Sequence, residues 1–168
     1  MPSDRQAGFT LVELMITLAV LAVLLAIGLP NFQQSLRNNR VATTTNDMIA
    51  AISLARSEAI RNTRGGAICA SEDGLTCGDD WSLGWIVWRD GNANGTPQAN
   101  EIVRFTQGNP RMVVTGPDAP VVFDARGRVN APVDITVRPH ECGSSPMLRT
   151  LSIGVTGQVR KQAPGVCS

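Results

Sequence analysis

Residues 8–29 leave this chain few ways to fold. From Phe9 to Leu29 only Thr10, Glu13 and Thr17 are polar. A helix through this run spans roughly 30 Å, the thickness of a bilayer's hydrocarbon core. One carboxylate, Glu13, sits inside it. A charge at the centre of a membrane helix costs about 2.5–3.5 kcal/mol, so it asks for a partner. A secretory signal peptide fits poorly. Arg5 is balanced by Asp4, no small-residue cleavage site stands clear, and the pattern continues past Pro30. A plain single-span anchor fits if Glu13 merely lies at the interface.

A third reading uses more of the residues. Gly8-Phe9-Thr10-Leu11-Val12-Glu13 resembles the processing site of type IV pilins and pseudopilins. The resemblance implies cleavage after Gly8 by prepilin peptidase, which removes residues 1–8 as a leader, and N-methylation of Phe9. It also implies that Glu13 pairs with the N-terminal amine of a neighbouring subunit. In a filament core an ammonium and a carboxylate neutralise each other where water is scarce.

Past Pro30, which the sequence predicts to kink the helix, residues 31–64 contain no Gly or Pro. Val41, Met48, Ile52, Ala55 and Ala59 recur at helical spacing, and Ile49 and Ile60 widen the stripe. Arg37, Arg40, Arg56 and Arg61 fall mostly elsewhere, as solvated helix charges do. Gly65-Gly66 is the expected stop. The helix then has two halves, an apolar one at 9–29 and an amphipathic one at 30–64.

From 65 to 168 the pattern is strand and turn. Strands are expected at 67–70, 81–89, 101–106, 111–115, 121–124, 133–138, 148–155 and 158–161, with 81–89 and 101–106 forming a hairpin. The fold class is α+β: a pilin-like long N-terminal α-helix, its first half transmembrane, on a C-terminal antiparallel β domain. Cys69, Cys77, Cys142 and Cys167 are an even set without a C-x-x-C pair, which disfavours zinc and suggests two disulfides. Three connectivities are open. Adjacency in sequence favours Cys69–Cys77 with Cys142–Cys167, and disulfides place the β domain outside the cytoplasm.

The strand half narrows the resemblance. Ala55-Arg56-Ser57-Glu58-Ala59, Ile68-Cys69, the run from Gly84 to Asn92 and Leu151-Ser152-Ile153 before Gly157 are together similar to the GspH/FimT family of pilin-like proteins. That family includes FimT- and FimU-like minor pilins and the minor pseudopilin of type II secretion. The resemblance implies a two-sheet β domain and a low-copy place at or near a filament tip. It also implies partners: other minor pilins, the major pilin, prepilin peptidase, an inner-membrane assembly platform and inner-membrane lipid. The expected location is the inner membrane, single-pass with the β domain in the periplasm, and then a pilus or pseudopilus.

Two constellations could carry further chemistry. Asp90, Asn92, Asn94, Gly95 and Glu101 occupy the first, third, fifth, sixth and twelfth places of a calcium-loop pattern. With two carboxylates such a site would hold Ca²⁺ loosely. The flanks read as strands rather than helices, and an Asn- and Gly-rich hairpin turn accounts for the same residues. The second constellation is basic. Some FimT-like pilins resembled here bind DNA through a Gly-Arg-x-Arg element. The matching place reads Gly157-Gln158-Val159-Arg160-Lys161, with Arg128 in a half match elsewhere. Solvated strand-edge charges explain these cations equally well, and a net charge of +1 predicts no general nucleic-acid partner.

Catalysis finds no support. The one histidine, His140, lies beside Glu141 in a loop-like stretch without a second ligand or base. The three tryptophans read as core.

Overall fold

The computed structural model describes residues 9–142 and 145–167, the side chain of Pro30 excepted. Contacts divide the chain into two compact units, with the boundary between Arg37 and Asn38. One helix, α1 (Leu11–Asn62), begins in the first unit and ends in the second, running unbroken through Pro30.

In the first unit, α1 starts on an N-cap at Thr10. The Thr10 hydroxyl accepts the Glu13 N–H at 3.2 Å, which satisfies a donor that helix geometry leaves free. Glu13 therefore sits in the first turn, where the helix dipole favours a negative charge. Beyond it, every residue from Leu11 to Leu29 is exposed.

In the second unit the helical stripe is where its spacing puts it. Val41, Met48, Ile52, Ala55 and Ala59 are buried, and Ile49 packs against them half-buried. Ile60 differs: it stays 46% exposed, lying over the turn at Gly127. Arg56 is not a free surface charge either, since its Nε donates to the Gly127 carbonyl at 3.0 Å. The helix stop differs from expectation as well. Asn62 ends α1 by accepting the N–H groups of Arg64 and Gly65, while Thr63 takes the left-handed conformation at φ 57°.

Eight strands follow: β1 (Gly66–Ala70), β2 (Gly84–Arg89), β3 (Ile102–Gln107), β4 (Met112–Thr115), β5 (Val121–Phe123), β6 (Val133–Pro139), β7 (Arg149–Ile153) and β8 (Val159–Lys161). They form two four-stranded antiparallel sheets, ordered β3-β2-β1-β5 and β4-β6-β7-β8. Residues 81–83, expected in the second strand, form a turn instead. Trp81 is buried there with its indole N–H donating to the Pro117 carbonyl at 3.0 Å.

The central strands of the first sheet, β1 and β2, are buried on both faces. Ile68, Ala70, Trp85 and Val87 join the α1 stripe, together with Ile135, Val137, Leu151 and Ile153 of the second sheet. On the opposite face Ala67, Cys69, Ile86 and Trp88 make a separate cluster with Ile102. The Cys69–Cys77 disulfide ties the 71–83 loop to this face, and Gly74 of that loop lies against the Phe105 ring. The second disulfide, Cys142–Cys167, holds the C-terminal segment.

Asp73 organises the loop. Its carboxylate accepts the N–H groups of Leu75 and Thr76 and the Thr76 hydroxyl. The N–H groups of Thr76 and Leu75 stabilise its charged form and hold its pKa well below the usual carboxylate range. Asp124 is lowered in the same way by the Arg128 N–H. An acid whose folded pKa is depressed stabilises the fold above its unfolded value, near 4, and that contribution fades as pH falls toward the folded value. Circular dichroism between pH 5 and pH 2 tests this, as an order-of-magnitude window. Asp73→Asn with Asp124→Asn keeps an oxygen acceptor in each turn and should flatten the loss. A pH profile parallel to wild type would show that other groups govern it.

Candidate assembly site

The residues expected to serve subunit association lie at the start of α1. Phe9 is 86% exposed, just ahead of the Thr10 cap, and Glu13 lies one turn on. Gly8 lies outside the described residues. The helix is long and apolar enough to cross a membrane, and its most apolar window is uncovered. Burying a side chain such as Leu or Ile is worth about 1.5–3 kcal/mol. A run of Leu, Ile and Val this long is therefore matched to lipid or to other apolar helices rather than to water. Within it Glu13 is the one acidic residue. The cap at Thr10 takes the backbone N–H of Glu13, which leaves the Glu13 carboxylate itself without a local task in that bond.

The basic residues come together only in part. Gly157 meets the Gly127 carbonyl so closely that an added Cβ would lie 1.9 Å from it. The 124–128 turn, which carries Arg128, therefore touches the turn that leads into β8, where Arg160 and Lys161 are exposed on the sheet edge. Asp124 lies in the same turn, and Arg128 and Arg126 stabilise its negative charge. A carboxylate among so few cations weakens any phosphate footprint.

The 90–101 loop joins β2 to β3, so its flanks are strands as expected. Asp90 and Glu101 are both buried, at 8% and 5% exposure. Asp90 accepts the N–H groups of Asn94 and Gly95, and Glu101 accepts that of Gly91 at 3.0 Å. Arg64 steadies the loop by donating to the Gly91 carbonyl. Among the described residues no three Asp, Glu, His or Cys side chains gather as a metal site. His140 is exposed.

Comparison with known proteins agrees with this arrangement. Residues 44–157 match the family model described as type II transport protein GspH, and residues 3–29 match the prokaryotic N-terminal methylation motif. The pilin-like protein PilA1 of Thermus thermophilus is 31% identical over 141 residues, covering 77% of this chain and 83% of that one. The prepilin peptidase-dependent protein D of Escherichia coli is 53% identical over 34 residues, only 20% of this chain and 23% of that one. The crystal structure of the type IV minor pilin FimU of Pseudomonas aeruginosa superposes with a TM-score of 0.59 at 20% identity, covering 75% of this chain and 90% of that one. The minor pseudopilin EpsH of the Vibrio cholerae type 2 secretion system gives 0.54 at 14% identity, covering 74% and 98%. At these identities the two structures speak to the fold alone.

Proposed function

Since the chain belongs to the GspH family, we propose that it works as a minor type IV pilin that primes or caps assembly at or near a filament tip. It acts by subunit association rather than by catalysis. The observation that carries this reading is the uncovered apolar helix with one carboxylate in its first turn, its apolar half lying within a match to the N-terminal methylation motif. In the proposed cycle the protein waits in the inner membrane with its β domain on the periplasmic side. Prepilin peptidase trims it after Gly8 and methylates Phe9. The helix then leaves lipid for a filament core, where the apolar surface meets other pilins and Glu13 meets an N-terminal amine.

A second reading, minor pseudopilin of type II secretion, is supported by the description of the matching family and by the fold shared with EpsH. The DNA-binding reading draws on the contact between the Arg128 turn and the turn before β8. Deletion with rescue by the full chain separates the three when surface pili, enzyme secretion and DNA uptake are scored together. Loss of pili is expected, with any fall in uptake following from it. A defect in secretion alone would replace the first reading with the second. Lost DNA uptake with normal pili would favour the third.

A further inference from the structure

The loop between β2 and β3 holds a carboxylate oxygen that no group among the described residues satisfies. Glu101 is 5% exposed, and its Oε1 accepts the Gly91 N–H at 3.0 Å. Its Oε2 is buried and has no hydrogen-bond partner. A buried carboxylate oxygen left unmatched is costly, and native proteins normally meet it with a donor or a cation. Glu101 lines one hollow with Gly91, Asn92, Arg64 and Arg89, and its Oε1 lies against Gly91 at the head of the loop that precedes it.

That loop presents further oxygens. Asp90 is 8% exposed, its two carboxylate oxygens held in place by the N–H groups of Asn94 and Gly95 at 3.0 Å. The Asn92 and Asn94 side-chain oxygens each accept one backbone N–H, from Asn94 and Thr96, and an amide oxygen retains a second lone pair. Ala93 and Gly95 take positive φ, 59° and 74°, which folds the backbone around Asp90. The Glu101 N–H donates to the Gln98 carbonyl, so one turn brings the twelfth residue back toward the first. In calcium loops a helix follows this residue. Here the turn is followed by β3.

We propose that Asp90–Glu101 is a Ca²⁺-binding loop, with Glu101 Oε2 and the side-chain oxygens of Asp90, Asn92 and Asn94 as ligands. Ca²⁺ suits an irregular set of carboxylate and amide oxygens. Mg²⁺ demands near-octahedral geometry and gives up its water reluctantly. With two carboxylates, and with Arg64 bonded to the loop at the Gly91 carbonyl, the affinity falls at the weak end. That is the range of extracellular calcium modules, a Kd on the order of 10⁻⁴–10⁻³ M.

Calorimetry on the full chain in detergent, titrated with CaCl2 and separately with MgCl2, is the test, together with thermal melts in EDTA and in CaCl2. Wild type should bind Ca²⁺ in that range, bind Mg²⁺ more weakly, and melt higher with Ca²⁺. Glu101→Gln should weaken Ca²⁺ at least tenfold (about 1.4 kcal/mol). It should melt no lower than wild type in EDTA, because the amide oxygen still accepts from Gly91 and the buried charge is gone. Asn92→Asp with Asn94→Asp should tighten binding by a similar factor by adding charge. No heat and no melting shift in wild type at about 10 mM CaCl2, ten times above the expected range, would overturn the proposal. So would Glu101→Gln binding Ca²⁺ like wild type. If Glu101→Gln fails to fold, an unchanged affinity in the Asn-to-Asp variant overturns it instead.

Discussion

Gly66→Ala should destabilise the protein by about 3 kcal/mol or more, at the upper end of what overpacking costs. A Cβ on Gly66 would lie 2.5 Å from the Ala55 carbonyl oxygen, 2.9 Å from the Ala59 nitrogen and 3.2 Å from the Ala59 Cβ. Two of those neighbours are helix backbone and cannot rotate away. The strand cannot lift either. Gly66 pairs with Arg89 on one side and Phe123 on the other, so moving it strains two ladders. The small stripe of Ala55 and Ala59 on α1 is thus matched to a strand residue without a side chain, and this fixes how closely β1 approaches the helix. Thermal unfolding of the full chain in detergent should show a drop on the order of 10 °C. Gly78→Ala is the control. Nothing lies within 4 Å of its added Cβ, so it should stay within about 0.5 kcal/mol of wild type. A Gly66→Ala chain that melts with the control would show that β1 and α1 can separate freely.

That contact marks a boundary of what the sequence makes legible. The buried stripe from Val41 to Ala59 follows from helical period, and the strand positions follow from apolar runs cut by Gly, Pro and Asn. The eight segments marked by those signals overlap the eight strands. Which glycine ends the helix was not legible. Gly65-Gly66 looks like a stop, but the side chain of Asn62 does that work and Gly66 is kept for close packing. Alternation misleads in β2, where five consecutive residues are buried. The outer face of that strand is covered, and the Cys69–Cys77 bond brings a polar loop to the same face, a long-range fact that local pattern does not carry. Trp81 shows the same limit, since its burial depends on Gly116 and Pro117 more than thirty residues away. At the calcium-type loop the residue types were readable but the burial of Glu101 was not. Its N–H closes a turn on the Gln98 carbonyl, and the ladder that follows shifts register between Val87 and Trp88, neither of which the local pattern shows. At the start of α1, by contrast, Thr10-x-x-Glu13 declares both the cap and the acid.

Glu13→Gln should leave the chain in the membrane and take it out of filaments. The bond to the Thr10 hydroxyl comes from the backbone N–H of residue 13, so glutamine has no reason to lose it. Membrane insertion should not suffer, because a charge in an apolar helix costs about 2.5–3.5 kcal/mol and the amide removes it. What the variant lacks is the negative charge proposed to meet an N-terminal amine in the filament core. Removing one partner of a desolvated ion pair costs about 3–5 kcal/mol, and each 1.4 kcal/mol is tenfold in an equilibrium. Incorporation should therefore fall by roughly a hundredfold or more, read as the share of the chain in sheared filaments against the share left in membranes. A Gly8 substitution that blocks trimming supplies the second arm. It withholds the new amine, so adding Glu13→Gln to it should change little further, as expected of two residues serving one interaction. Normal incorporation of Glu13→Gln would show that the pairing is dispensable. Fully additive losses would place the two residues in separate steps, with Glu13 acting through the helix start instead.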